Sequence, residues 1–175
     1  MRTSTPERLP SSASCLQPAP RLRQAASDDL ASLLELELAC FDEARRDTPA
    51  AIRRSLASSR MEVWVLDGLA GRIDGALFLK PVRKSLSVES LAVRPGMRGR
   101  GLGHGLLEWA ATRARALAVR WLTLEADAAD PDLLGWYERH GYQRAALMVS
   151  FYGPGRDAWR MRRDPGDPST DLINR

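Results

Sequence analysis

Four glycines stand at alternate positions between a strand-like run and a helix-like run; they are Gly99, Gly101, Gly103 and Gly105. The first N–H groups of a helix lack backbone partners, and the helix dipole is positive at that end. A backbone without side chains at this point lets an anion approach those amides closely. Because glycine costs roughly 1 kcal/mol at each helical position, we interpret the loop as a ligand site rather than a simple turn. The pattern predicts a phosphate-bearing ligand.

Two common phosphate loops do not fit this stretch. The dinucleotide fingerprint G-x-G-x-x-G fails because its third glycine would fall at His104 or at Leu106, depending on the register. The nucleoside-triphosphate loop can begin at Gly96, but Leu102 then stands where that loop needs its lysine. The sequence therefore argues against NAD and ATP as ligands.

The charge distribution and hydropathy of the chain argue against nucleic acid and membrane as partners. The chain has 175 residues and a formal net charge of +4, and its basic residues are spread along the sequence. Nucleic-acid binding favours a clustered basic stripe, so we expect no nucleic-acid partner. No apolar run reaches the length of a membrane span, and we expect no membrane association.

The number and spacing of cysteines and histidines argue against a disulfide bond and against a bound metal ion. Cys15 falls in a predicted tail and Cys40 in a predicted helix, so a disulfide is not expected and a reducing cytoplasm is the predicted location. His104 and His140 have no ligand spacing with each other or with the cysteines. We expect no metal site.

The chain is organised as one folded domain between two tails. Residues 1–20 are rich in serine and proline and predict a disordered tail. Residues 21–163 form the predicted domain, and residues 164–175, with Pro165, Gly166 and Pro168, predict a flexible tail. The order within the domain is strand, two helices, three strands, helix, strand, helix and two strands, the last two at 143–152 and 157–162. A strand meander followed by strand–helix units predicts a mixed α/β sheet.

Two segments of the domain resemble one known family. Arg98 to Gly103 fits the [QR]-x-x-G-x-[GA] pattern of the GCN5-related N-acetyltransferases, and Trp136 to Tyr142 resembles that family's L-Y-E-x-x-G-F segment. The resemblance covers about residues 21–161 and is faintly closest to the ribosomal-protein alanine N-acetyltransferase group. It implies an α/β fold with a mixed, mainly antiparallel twisted sheet, splayed between strands 4 and 5 and flanked by helices.

The resemblance also implies a donor and a reaction. The implied donor is acetyl-coenzyme A, and the acetyl group would pass directly to a primary amine of a peptide N-terminus, a lysine or a small molecule. Dimerisation is common in the family, so a homodimer is an expectation. Leu91 and Val93 would pair with the pantetheine arm, and Asp130 stands in place of the family's asparagine at a helix start. The pyrophosphate would be held by Arg98, Gly99, Arg100, Gly101, Leu102 and Gly103.

Three residues are candidates for the chemistry that the resemblance implies. Tyr137 matches the family tyrosine that faces the coenzyme sulfur and is the predicted proton donor, although packing in the core alone would also account for it. Glu125 and Glu89 are the two candidate bases, although either could be only a solvated or helix-facing carboxylate. Glu125 is preferred because its position twelve residues before Tyr137 resembles the peptide N-terminal acetyltransferases that modify ribosomal proteins, where a glutamate acts as base; Glu89 lies on the fourth strand, where other members carry one. The alternative is a coenzyme A-binding regulatory domain that has lost catalysis.

Overall fold

The computed structural model of the chain describes residues 21–166. The predicted tail at 1–20, which contains Cys15, and residues 167–175 of the second predicted tail lie outside this range. Within the range, Pro165 is buried and its carbonyl accepts a hydrogen bond of 2.7 Å from Arg115. Pro165, two residues past the predicted end of the domain, is thus in contact with α3.

Seven strands form one sheet in the order β1-β2-β3-β4-β5-β7-β6. Every neighbouring pair is antiparallel except β4 and β5, which run parallel. This confirms the mixed, mainly antiparallel sheet predicted from the sequence. The strands are β1 Leu22–Gln24, β2 Glu62–Asp67, β3 Ile73–Val82, β4 Ser85–Val93, β5 Trp121–Asp127, β6 Gln143–Met148 and β7 Ala158–Arg163.

Four helices flank the sheet: α1 Leu30–Cys40, α2 Pro49–Ala57, α3 Leu102–Ala116 and α4 Pro131–Arg139. Two of them begin as the sequence predicts. The Thr48 hydroxyl accepts a 3.2 Å hydrogen bond from the Ala51 amide, and the Asp130 carboxylate accepts one of 2.9 Å from the Leu133 amide. In both helices the next residue is a proline, which is suited to the first helical position.

The helices pack against the sheet in two separate cores. One contains α1 and α2 against β2 and β3, with Leu33, Leu36, Ile52 and Phe78 among its buried residues. The other holds α3 and α4 against the opposite side chains of the sheet and includes Leu106, Leu122, Leu134 and Tyr137. The alternation of side chains along each strand separates the two sets.

A bulge in β4 opens the middle of the sheet. Phe78 pairs with Ser90 and Leu79 with Val88, so Glu89 has no partner on β3. β4 pairs with β5 only between Ser85 and Val88 on one strand and Trp121 and Leu124 on the other. Beyond these residues the two strands separate, as the family resemblance implies. An extra residue in one strand bends that strand locally, which accounts for the separation.

The boundary between the last two strands differs from the sequence prediction. β6 ends at Met148 instead of continuing to Tyr152. Ser150 has a φ of 54°, outside the strand region, and its amide donates a 2.8 Å hydrogen bond to Asp157. The following turn carries Tyr152 back toward β5, where its hydroxyl donates to the Glu125 carbonyl at 3.1 Å.

Candidate active site

The separated ends of β4 and β5 border a cavity of about 970 Å³. Its walls come from α1 and the segment after it, from β4 and the glycine loop, from β5, from α4 and from the turn before β7. The lining includes Glu37, Cys40, Asp47, Glu89, Leu91, Val93, Arg98, Gly99, Gly101, Leu102, Gly103, Glu125, Asp127, Asp130, Trp136, Tyr137 and Tyr152. Of the residues that the sequence predicted for the site, all but Arg100 line this one cavity. Arg100 is exposed.

The glycine loop has the backbone that an anion cradle needs. Gly99 and Gly101 have φ values of 73° and 78°, which favour glycine. A Cβ added at either position would meet no atom within 4 Å, so their missing side chains leave open space. Inside α3 the Gly105 amide donates to the Gly101 carbonyl at 2.9 Å, and the amides before it in the helix have no partner one turn back. The loop therefore fits a pyrophosphate.

Arg98 is placed to fix the loop to the end of β4. Its Nε donates to the Val93 carbonyl at 3.0 Å, and the Cys40 thiol donates to the same oxygen at 3.4 Å. Burial raises the pKa of the Cys40 thiol, which keeps it protonated. Cys40 is thus a packing residue with a weak hydrogen bond and lacks the environment of a nucleophile.

Asp130 caps α4, and its carboxylate is occupied by the Leu133 amide described above. It nevertheless lines the cavity. The side chain thereby fixes the start of the helix that carries Tyr137 two turns later.

Tyr137 lies in the apolar wall of the cavity. Its ring packs edge-on against Trp136 and Tyr142, with centroid separations of 4.9 and 5.7 Å. Burial raises the pKa of the Tyr137 phenol above its ordinary value, so the hydroxyl holds its proton at neutral pH. The two interpretations of this residue, core packing and proton donor, are both compatible with that position.

The two predicted bases have different surroundings. Glu125 forms an ion pair with Arg160 at 2.8 Å, and its carboxylate is largely shielded from solvent. Glu89 is exposed at the β4 bulge. The pKa of Asp47 is raised, first because Asp47 is partly buried and second because the negative charge of Glu89 lies nearby. Glu125 is thus held by a neighbouring cation, whereas Glu89 is open to solvent.

Glu37 is a residue of the site that sequence reasoning missed. It is 4% exposed, on the inward face of α1, and its carboxylate accepts a 3.1 Å hydrogen bond from the Asp47 amide. Burial raises its pKa to about 7, a shift that the Asp47 charge adds to and that the Asp47 amide and the charge of Arg46 oppose. The available signal was a carboxylate four residues after Leu33 on an otherwise apolar helix face.

Trp136 connects the glycine loop to α4. A Cβ added at Gly103 would lie 3.2 Å from Trp136 Cζ2, so the absence of a side chain at 103 makes room for the indole. The Trp136 carbonyl is 2.7 Å from His140 Nδ1, as expected for a histidine at a helix end. Loop and helix are therefore packed directly on one another beside Tyr137.

Residues 21–166 contain no group of three or more His, Cys, Asp or Glu side chains placed to hold a metal ion. None of the helices in the described part of the chain is long and apolar enough to cross a membrane.

The amino-acid sequence of the chain matches one known protein family. The model of the acetyltransferase (GNAT) family matches residues 30–142. The chain is 33% identical over 126 residues to the N-alpha-acetyltransferase RimI of Mycobacterium tuberculosis (strain ATCC 25618 / H37Rv), a match that covers 69% of this chain and 77% of that protein.

Solved structures share the fold. The ribosomal-protein-S18-alanine N-acetyltransferase from Escherichia coli has a TM-score of 0.73 at 19% identity, over 84% of this chain and 94% of that one. The GphF GNAT-like decarboxylase in complex with isobutyryl-CoA has a TM-score of 0.73 at 19% identity, over 83% and 99%.

Proposed function

We propose, from the premise that this chain belongs to the acetyltransferase (GNAT) family and is an N-acetyltransferase, that it moves an acetyl group directly from acetyl-coenzyme A to an α-amine. One observation carries the proposal. The glycine cradle, the freed backbone of β4 and the hydroxyl-bearing ring of Tyr137 all border one cavity, which runs between separated strands.

The proposed donor site uses backbone more than side chains. Amides of the 98–103 loop would bind the pyrophosphate. Main-chain groups of Leu91 and the Val93 amide would pair with the pantetheine arm as an added strand. The Val93 carbonyl already accepts from Arg98 and Cys40, so we assign it to holding the loop in place. When bound, the donor supplies a thioester at the bulge.

Tyr137 is the proposed proton donor to the departing sulfur. The acceptor nitrogen attacks the thioester carbonyl, a C–N bond forms, and the C–S bond breaks. A neutral phenol held by burial can give its proton to the leaving thiolate, and it regains a proton from the newly acylated nitrogen. The environments of Glu125 and Glu89 weigh against either as the base that frees the acceptor amine, because one is ion-paired and the other is exposed.

The proposed acceptor class is the α-amine of a peptide or protein N-terminus. The likeness to a protein named N-alpha-acetyltransferase RimI supports it. An α-amine has a pKa of about 7.7–8.0 against about 10.4 for lysine, so it is the easier amine to deprotonate at neutral pH. A peptide that begins with alanine is the first candidate, in view of the activity in the name of the Escherichia coli protein.

The test combines binding with turnover. Calorimetry with acetyl-coenzyme A should give a saturable heat, and thiol release should follow addition of an Ala-initiated peptide. The matched control is the same peptide with an acetylated N-terminus, and a lysine side chain and a diamine extend the panel. Absence of heat would contradict the donor assignment. Heat without thiol release from any acceptor would favour the alternative, a coenzyme A-binding domain without catalysis.

A cytoplasmic location and a homodimer stay predictions. Light scattering on the purified chain tests the dimer.

A further inference from the structure

We infer that Glu37 is a catalytic residue, the group that takes the proton from the acceptor ammonium. The inference rests on the proposed function and names a residue on α1 for a step that the sequence had assigned to β4 or β5. It follows from where the side chain lies, what it contacts and which other charges face it.

Glu37 is enclosed, but it is part of the cavity wall. Its side chain lines the cavity together with Cys40, one helical turn later, and Cys40 touches the Val93 carbonyl at the donor end. The Asp47 amide donates to one carboxylate oxygen of Glu37. No second hydrogen bond to the carboxylate is formed within residues 21–166, which leaves its other oxygen to the cavity.

The charges around Glu37 favour a cationic guest. Asp47, from the segment after α1, and Glu89, from the β4 bulge, line the same cavity. In the described part of the chain neither of them, nor Glu37, forms a salt bridge. Arg46 is the cation that acts on Glu37, and its own guanidinium donates to the Phe41 carbonyl at 3.1 Å. Two further arginines line the cavity: Arg98 donates to the Val93 carbonyl, and Arg45 pairs with Asp42 and Asp127. An ammonium group that enters beside Glu37 therefore meets carboxylates that form no salt bridge with an arginine in the described part of the chain.

The proton affinity of Glu37 suits the task. Its pKa of about 7 lies close to that of an α-amine, and a base works best when its pKa is near the working pH. Glu125 differs because its carboxylate is held in an ion pair with Arg160. Glu37 therefore lines the cavity and has a carboxylate whose protonated form is favoured by burial.

The step balances without another reactant. The acceptor R–NH₃⁺ gives one proton to the Glu37 carboxylate, directly or through one water, and becomes R–NH₂. Its lone pair attacks the thioester carbonyl, and the sulfur leaves with the proton from Tyr137. The nitrogen's second proton returns to Tyr137, and Glu37 releases its proton to solvent. The net products are the acetylated amine, the free thiol and one proton.

The experiment is a pH profile of kcat/KM, from pH 5.5 to 9.5, with the Ala-initiated peptide as acceptor. The wild type should show a limb with an apparent pKa near 7. Glu37→Gln keeps an oxygen that can accept from the Asp47 amide. It should lose about 100-fold in kcat/KM at pH 7, and its limb should move from near 7 to the pKa of the acceptor α-amine, about 7.7–8.0. Glu35→Gln is the matched control, since Glu35 lies on the same helix but is exposed. It should leave the profile unchanged.

A series of acceptors separates proton transfer from a structural effect. The deficit of Glu37→Gln should shrink as the pKa of the acceptor amine falls, because a neutral amine needs no base. A deficit that is equal for all amines, or a retained limb near pH 7, would overturn the inference. So would loss of the limb in Glu125→Gln or Glu89→Gln while Glu37→Gln keeps it.

Turnover by the wild type distinguishes a failure of the Glu37 role from a failure of the proposed function. Turnover by the wild type with an unchanged Glu37→Gln profile overturns the role of Glu37 alone. Absence of thiol release from every acceptor overturns the proposed function and the Glu37 role with it. If Glu37→Gln does not fold, Asp47→Asn replaces it. Loss of the Asp47 charge should move the limb near pH 7 to lower pH, because that charge helps to raise the pKa of Glu37. A limb that does not move would overturn the inference.

Discussion

The two halves of β4 and β5 have opposite surroundings although they belong to the same strands. In the first half, Ser85–Val88 pairs with Trp121–Leu124, and Leu86 and Leu122 are fully buried in the core under α3. In the second half, after the bulge at Glu89, the strands separate and border the cavity. The first half thus contributes packing, and the second contributes backbone groups and side chains that are available to a ligand.

The site lies where the backbone hydrogen bonds between β4 and β5 stop. Backbone N–H and C=O groups that a strand does not use must find other partners. In the second half these partners are Arg98, Cys40 and, by our proposal, the pantetheine arm. Changes in the first half should therefore affect stability, and changes in the second should affect catalysis.

The largest expected effect on stability comes from the paired half. Leu122→Ala removes a fully buried side chain and should lower the free energy of unfolding by about 2–5 kcal/mol. Urea denaturation measures the loss. Thiol release per folded molecule, measured at low temperature, should stay within about 3-fold of the wild type. A loss of activity without a loss of stability would contradict the division between the two halves.

Tyr137→Phe should have the converse effect in the separated half. Loss of the proton donor should lower kcat about 100-fold and leave the dissociation constant for acetyl-coenzyme A unchanged. Tyr142→Phe is the matched control, since burial also raises the pKa of that phenol, and its hydroxyl is buried without a partner in the described residues. It should retain full kcat. Equal rates in the two variants would remove the role of Tyr137.

Gly101→Ala should weaken donor binding about 10-fold by placing a methyl group in the cradle. Alanine at this positive φ also costs roughly 1–2 kcal/mol of stability, so a control must share that cost. Gly71→Ala does so, because Gly71 has a φ of 75° and open space around it but is remote from the cavity. Calorimetry with acetyl-coenzyme A compares the two. An equal change in affinity would argue against a cradle.

The smallest expected effect is a pH dependence of stability from Glu37. Its pKa rises from an ordinary 4.5 to about 7 on folding, so the folded state binds more protons than the unfolded state between these values. Stability should therefore fall as pH rises through this window. Between pH 6 and 8 the wild type should lose about 1–2 kcal/mol relative to Glu37→Gln. Thermal melts of both proteins across this range measure the difference, and parallel curves would contradict it.

Features set by neighbouring residues in the chain were predictable from the sequence. The caps at Thr48 and Asp130 need only a side chain and an amide three residues away. The same holds for the positive φ of the loop glycines and for Gly141, with a φ of 80°, after α4. These local signals placed Tyr137 on the right helix and the glycine loop at the right end of β4.

Features set by pairing or by distant segments were not predictable in the same way. The bulge at Glu89 is a mismatch in register between β3 and β4, which neither strand reveals alone. β6 ends early although Val149, Phe151 and Tyr152 favour strands, because Ser150 turns the backbone. Glu37 lines the site because α1 packs beside β4, and its carboxylate meets the Asp47 amide only where the segment after α1 folds back.

The contact between Gly103 and Trp136 has a consequence for sequence change. A Cβ at 103 would press on the indole at 3.2 Å, so the indole would have to shift, whereas a smaller residue at 136 would leave a void beside the loop. Each position thus sets the size that the other can accept, and substitutions at the two should be strongly non-additive. A smaller residue at 136 should therefore relieve the cost of a side chain at 103, which couples the sequence of the loop to that of the helix that carries Tyr137.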